Sequence, residues 1–198
     1  PNEVAELLDS VEEGSHVTKG EQRYYNKTRL RDLALLTLLL GTGIRVSECV
    51  GLNIEDVDFD NNRIKIYRKG GYETVVYFGD EVRDAIINYL DERNSNIKTA
   101  DNKGPLFLSM QNKRIGVRTV EILVKKYTSR TNTLKKITPH KLRSTYGTNL
   151  YKESGDIYLV AEVLGHKDVN TTRKHYAAID EEGKRRAAKM VTLREDKK

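Results

Sequence analysis

The chain has a single cysteine, Cys49, so no disulfide can close within it, and this usage fits a reducing cytoplasm. No apolar run reaches the ~18 residues of a membrane-spanning helix, and no signal-peptide pattern opens the sequence. The four histidines, His16, His140, His166 and His175, share no ligand spacing with one another or with Cys49, which argues against a zinc site. Internal repeats and low-complexity tracts are absent. The first residue is Pro1 rather than Met, so the chain is expected to be a piece of a longer protein. What is present is a polar chain of 198 residues, 37% hydrophobic and 32% charged. That length suits one domain with a real core, with or without a tail. Thirty-five basic against 29 acidic residues leave a net charge of +6. A basic excess of this size is compatible with nucleic acid but is also found in proteins that bind none.

Hydrophobic periodicity divides the chain into mostly helical segments. Val4, Leu7, Leu8 and Val11 have helical spacing, with Gly14 as the stop. The polar stretch HVTKGEQRYYNKT (16 to 28) reads as a loop. RLRDLALLTLLLG (29 to 41) is apolar on nearly every side and predicts a central buried helix, its end bracketed by Gly41 and Gly43. A short helix follows near Arg45 to Leu52. The period then changes to two. RIKIYR (63 to 68) and ETVVYF (73 to 78), joined at Gly70-Gly71, read as a β-hairpin, and PLFLS (105 to 109) as a third short strand. Helices return at about 80 to 92 and 118 to 130. Thr138-Pro139 then predicts a helix start, with Leu142, Tyr146 and Leu150 as its core stripe and Gly155 as its end. A short helix over Asp156 to Leu164 stops at Gly165, and Asn170 or Thr171 is expected to cap a further helix carrying Tyr176. The tail from 180 has acidic residues first and basic residues later, matching a helix dipole. The expected class is α+β, mainly α, with a small antiparallel sheet of about three strands.

Several polar residues are candidates for chemistry, each with a plainer alternative. His140 and Arg143 share one face of a helix that begins at a proline, a sound place for an anion. Gly147 lies one turn further on that face and is expected to leave it uncrowded. The alternative is an ordinary solvated helix start. Arg45 sits just after the most buried helix with Glu48 three residues on, which is either a fixed guanidinium or an exposed ion pair of little value. His166 follows Gly165 between two short helices and is a functional imidazole or a helix cap. Tyr176 is a reactive phenol or a core residue. Lys69, at the tip of the hairpin, is a proton donor on a flexible arm or a solvated loop-tip lysine.

Read in order, TGIRVSECVGL, YRKGG, ITPHKLRSTYGTNL, VLGH and NTTRKHYA make the chain resemble the catalytic domain of tyrosine recombinases, the phage-integrase and Xer-like family. The resemblance covers roughly residues 1 to 190 and rests on five motifs in order. It implies roles residue by residue. Arg45 matches the first arginine of the family and Glu48 the acidic residue supporting it. Lys69 matches the hairpin lysine, with Arg68 and Lys65 as rivals. His140 and Arg143 match the His-x-x-Arg element, His166 the Leu-Gly-His element, and Tyr176 the nucleophile. The hairpin departs from the pattern. Where relatives carry further basic residues and a Pro-Leu ending, this chain has GYETVVYFG, with Tyr72, Thr74 and Tyr77.

The resemblance implies a site-specific recombinase that cuts and rejoins DNA through a covalent 3′-phosphotyrosine, with no metal, cofactor or ATP. Two alternatives are a type IB topoisomerase-like enzyme and a DNA-binding relative that has lost catalysis. Residues 1 to 198 would form the catalytic domain, with about 180 to 198 as a C-terminal helix or tail, and the family's N-terminal DNA-binding domain lies outside this chain. Lys113, Arg114, Arg118, Lys141 and Lys167 are candidates to track the DNA backbone. The expected partner is double-stranded DNA at a specific site, bound by a tetramer. The segment with Ala187, Ala188 and Met190 would dock on a neighbouring protomer, or else on its own subunit. A cytoplasmic, nucleoid-associated protein follows.

Overall fold

The structure, a computed structural model, describes residues 2–14, 17–68, 70–96, 104–129, 137–166, 169–170, 172–173 and 176. Lys69, Lys167, Thr171 and the whole tail from 180 lie outside the described residues. The chain forms two compact units, Pro1–Tyr146 and Gly147–Lys198.

In the first unit, helix α1 (Asn2–Glu13) buries Leu7 and Val11 and ends at Gly14, whose φ of +64° lies in the left-handed region. Helix α2 (Gln22–Thr42) begins seven residues before the start expected at Arg29. The stretch read as a loop over 16 to 28 is therefore helical from Gln22. Its polarity hides two features. Thr18 and Glu21 close a capping arrangement, with the Thr18 N–H and hydroxyl both directed at Glu21 Oε2 (3.2 and 3.0 Å) and the Gln22 N–H at the Thr18 carbonyl. Tyr25 is buried, and its hydroxyl lies 2.9 and 2.7 Å from the carbonyl oxygens of Val11 and Glu12. Those carbonyls belong to the last turn of α1 and lack helical partners.

Along α2 the run Ala34–Leu40 is buried on every side, as its unbroken apolar character predicts. The helix stops at Gly43 (φ 63°), whose N–H bonds to the Leu39 carbonyl. Gly41 is not part of the stop. It sits inside the helix, and a Cβ there would come within 2.5 Å of Val82 Cγ2, so its missing side chain lets α4 (Asp80–Asn96) pack close. Val82, Ile86 and Tyr89 form the buried face of α4.

Between these helices come α3 (Val46–Gly51), a 3-10 turn (Ile54–Asp56) and a three-stranded antiparallel sheet. Its order is β1 (Val57–Asp58), β2 (Arg63–Arg68) and β3 (Tyr72–Tyr77). Ile64 pairs with Val76 and Arg68 with Tyr72. Alternation turns Ile64, Ile66 and Val76 into the core. The third strand is β1, not PLFLS. The latter makes only isolated bridges, Pro105 to Asn53 and Leu108 to Arg114. Its three consecutive buried side chains, Leu106, Phe107 and Leu108, show why. A strand flanking a one-sided sheet would turn one of each pair to solvent, whereas this segment is surrounded.

Helix α5 (Val117–Thr128) buries Val120, Leu123, Val124 and Tyr127. A buried polar knot ties it to α2. Arg31 donates to Asp32 Oδ1 through Nε and Nη2 (2.9 and 2.6 Å) and to the Leu108 carbonyl through Nη1, while the Tyr127 hydroxyl donates to Asp32 Oδ2 (3.0 Å). Helix α6 (Pro139–Ser154) starts as the Thr138-Pro139 pair predicts, with the Lys141 N–H on Thr138 Oγ1. Leu142 of its expected stripe is buried, while Tyr146 and Leu150 are half-buried.

The unit boundary falls within α6. The second unit holds the rest of that helix from Gly147, then Gly155 (φ +66°) and α7 (Ile157–Leu164). Asp156 caps α7 by accepting from the Tyr158 and Leu159 N–H groups, and Gly165 ends it in the left-handed region. The backbone is already helical at Val169 and Asn170 and again at Thr172, Arg173 and Tyr176. Asn170 is therefore already within helical backbone and is not the cap expected there.

Candidate active site

Arg45 occupies the N-cap position of α3, in extended conformation immediately after the turn that closes α2. Glu48, one helical turn on, takes both its backbone and its side chain. The Arg45 N–H donates to Oε2 (2.7 Å) and Nη1 to Oε1 (2.8 Å). The Glu48 side chain is 4% exposed and that of Arg45 40%. The carboxylate is thus buried and committed, and the guanidinium is aimed from it toward solvent. This is a fixed cation, not a mobile surface pair.

Arg143 belongs to the first half of α6 and is buried. Its Nη1 donates a short bond to the Gly43 carbonyl, two residues before Arg45. Residues a hundred positions apart are joined at the turn from α2 to α3, and Arg45 and Arg143 share it. His140, one turn earlier on α6, is exposed. The alternative of an ordinary solvated helix start therefore does not hold for Arg143, which is buried with the Gly43 carbonyl as a partner.

The same unit contains a cleft of about 460 Å³ lined by Arg45, Ser47, Glu48, Tyr67 and Arg68. Arg68 follows Ile64 and Ile66 on the inner side of β2. Lys65 is on the outer side, opposite Val75, with its Nζ 3.8 Å from Glu73. Of the two rivals to Lys69, only Arg68 lines this cleft. Cys49, next to Glu48 in sequence, is buried, and burial pushes its thiol up to about 12. It is no nucleophile.

Within the second unit, Tyr176 is only 3% exposed. Its ring lies tilted against Tyr151, centroids 5.7 Å apart. A Cβ on Gly147 would collide with the Tyr176 hydroxyl and come within 2.9 Å of Leu164. Gly147 is therefore not an uncrowded spot on the helix, as its place in sequence suggests, but the seat of the phenol. His166 Nδ1 lies 2.6 Å from the Thr172 hydroxyl, and its N–H bonds to the Ala161 carbonyl. Thr172 is buried. Sequence reasoning passed over Thr172 and Tyr151, and named Arg68 only as a rival to Lys69. Of these three, only Arg68 carries a further signal, the period-two placement of its charge after Ile64 and Ile66.

Among the proposed DNA contacts, Lys113, Arg118 and Lys141 are exposed, with Arg118 paired to Glu121. Arg114 is engaged within the chain, donating to the carbonyls of Val50 and Leu52 and to Asn53 Oδ1. No group of His, Cys, Asp and Glu side chains suited to a metal occurs among the described residues. No helix among them is long and apolar enough to cross a membrane.

Comparison with known proteins places these features in a family. The family model described as the phage integrase family matches residues 1–182. The chain is 38% identical over 146 residues to tyrosine recombinase XerC of Thermodesulfovibrio yellowstonii, covering 72% of this chain and 48% of that protein. It is 33% identical over 194 residues to tyrosine recombinase XerS of Streptococcus agalactiae, covering 96% and 54%. Among solved structures it is similar to XerA recombinase, with 28% identity and a TM-score of 0.72 over 88% of this chain and 57% of that one. The chain spans about half the length of the curated relatives it matches.

Proposed function

This chain belongs to the phage integrase family, and on that premise we propose that it is the catalytic domain of a site-specific DNA recombinase. The observation that carries the reading is the junction of Arg45 and Arg143 at the end of α2. Glu48 orients one guanidinium, and the other is bonded to the Gly43 carbonyl. Two guanidinium groups suit the non-bridging oxygens of a phosphodiester, because each is planar, always charged and able to bond bidentately. Charge neutralisation on phosphorus then comes from the chain's own side chains.

The Tyr176 hydroxyl attacks the scissile phosphorus. The P–O bond to the tyrosine forms, the bond to the 5′-oxygen breaks, and a 3′-phosphotyrosine remains. A phenol of pKa near 10 is ionised to only about one part in a thousand at pH 7, a deficit of about 4 kcal/mol. Nearby cations offset part of it, and His140 accepts the proton. His166, oriented through Nδ1 by Thr172, hydrogen-bonds the phosphate, and Lys69 protonates the departing 5′-oxygen. A 5′-hydroxyl from a second strand reverses these steps, so exchange needs no ATP. A phenol seated on Gly147 at 3% exposure must leave that seat before it attacks. Lys113, Arg118, Lys141 and Lys167 follow the DNA backbone, while Arg114 is engaged by Val50, Leu52 and Asn53. The active assembly is a tetramer on DNA, with the segment after 180 passed between protomers, in the cytoplasm at the nucleoid.

A nicked suicide duplex carrying the recombination site tests this. The wild-type chain is expected to become covalently attached and Tyr176→Phe is not. EDTA is expected to leave attachment intact, because guanidinium groups supply the charge. Attachment of the Phe variant at the wild-type rate would remove Tyr176 as the nucleophile.

A further inference from the structure

We infer that Arg68 is a DNA-phosphate ligand, a second guanidinium in the cleft of Arg45 that grips the backbone phosphate next to the scissile one. This rests on the recombinase reading above and gives Arg68, which the resemblance treats only as a rival to Lys69, a phosphate contact of its own. The geometry begins in β2. Ile64 and Ile66 face the core, and Arg68 is the next residue on that side. The strand ends there, so the side chain of Arg68 emerges at the rim of the core and lines the cleft with Arg45, Ser47, Glu48 and Tyr67.

Charge says what the cleft takes. Among the described residues lining it, two guanidinium groups and one carboxylate leave one positive charge. Both oxygens of that carboxylate are bonded to Arg45. Burial lowers the pKa of Arg68, Glu48 acts against this, and the like charge of Arg45 adds to it. A guanidinium nevertheless stays protonated at any working pH. It therefore cannot donate a proton to a leaving oxygen, and the role open to Lys69 is closed to Arg68. What remains is charge and a planar fork of donors, half-buried beside a second cation. Two cations beside one carboxylate favour a further anion, and a cleft of about 460 Å³ admits a phosphodiester unit.

The test uses duplex DNA selected from a random-sequence pool by binding to this chain. Affinity is measured against salt in the Tyr176→Phe background, where no covalent step intervenes. It therefore succeeds or fails independently of whatever wild-type trapping on the same DNA says of the nucleophile. Arg68→Gln is expected to weaken binding roughly tenfold and to reduce the slope of log K against log salt by about 0.9, the value of one phosphate contact. Arg68→Lys is expected to keep the slope while losing a few-fold in affinity, since charge remains and the fork does not. With Arg68 intact, a neutral methylphosphonate at one backbone position is expected to reproduce the slope change of the Gln variant, and to add nothing when combined with it. An unchanged slope for Arg68→Gln, or a slope for Arg68→Lys as low as for Gln, would overturn the inference. If the Gln variant does not fold, the methylphosphonate walk on the Arg68→Lys protein decides. One sensitive position beside the scissile phosphate supports the contact, and a flat profile there removes it.

Discussion

The carboxylate of Glu48 and the missing side chain of Gly147 do opposite work on the two residues that matter most. Glu48 fixes Arg45 in place from a buried position, whereas Gly147 opens a recess in which the Tyr176 phenol rests. Arg45→Ala is expected to slow cleavage by about a hundredfold or more, as loss of a donor to a developing charge does, while DNA affinity falls by less than about tenfold. Equal losses in rate and affinity would make Arg45 a simple backbone contact. Gly147→Ala places a methyl group where the Tyr176 hydroxyl lies, so the phenol is expected to be displaced. Nitration by tetranitromethane, followed by peptide mapping, should then modify Tyr176 faster than in the wild type, and an unchanged rate would show that the recess is not its seat. The pairing of Arg45 with Glu48 was legible in sequence because three positions on a helix are neighbours. The bond from Arg143 to Gly43 and the burial of Tyr176 were not, since each depends on a partner that no local spacing announces.

At the scale of elements, the helices and the hairpin followed from period and punctuation, and the misses have physical causes. The start of α2 was hidden because its first turns are polar apart from Tyr24 and Tyr25, and of the residues there only Tyr25 and Thr28 are buried. The Thr18–Glu21 spacing was the available signal. Tyr25 holds two elements together by placing its hydroxyl on the last carbonyls of α1. Tyr25→Phe is expected to cost about 1–2 kcal/mol, read as a lower urea midpoint with an unchanged slope, and a midpoint within error of wild type would show that water replaces the phenol. PLFLS looked like a strand because a short apolar run between turns suits a strand and a buried connector equally. Only the surrounding helices decide between them.

For the molecule as a whole, one core and one polar knot sustain the first unit. Asp32 is nearly solvent-free and is held by Arg31 and Tyr127. Deleting the carboxylate leaves a buried guanidinium without its counter-ion, so Asp32→Ala is expected to lose about 3–5 kcal/mol in urea unfolding. A loss under about 1 kcal/mol would mean that Arg31 escapes to solvent. The fold class and a small antiparallel sheet of about three strands were readable from composition and pattern, although the third strand was placed at PLFLS in place of β1. The division into two units was not, because it cuts through a continuous helix whose sequence shows no break at Gly147.

The covalent bond between Tyr176 and DNA is the claim from which the other roles take their meaning. Digestion of the trapped wild-type complex with trypsin and nuclease, followed by mass spectrometry, reads it directly. The account predicts a nucleotide remnant on the Tyr176 side chain. A remnant on any other residue, or a trapped complex with Tyr176 unmodified, would contradict it.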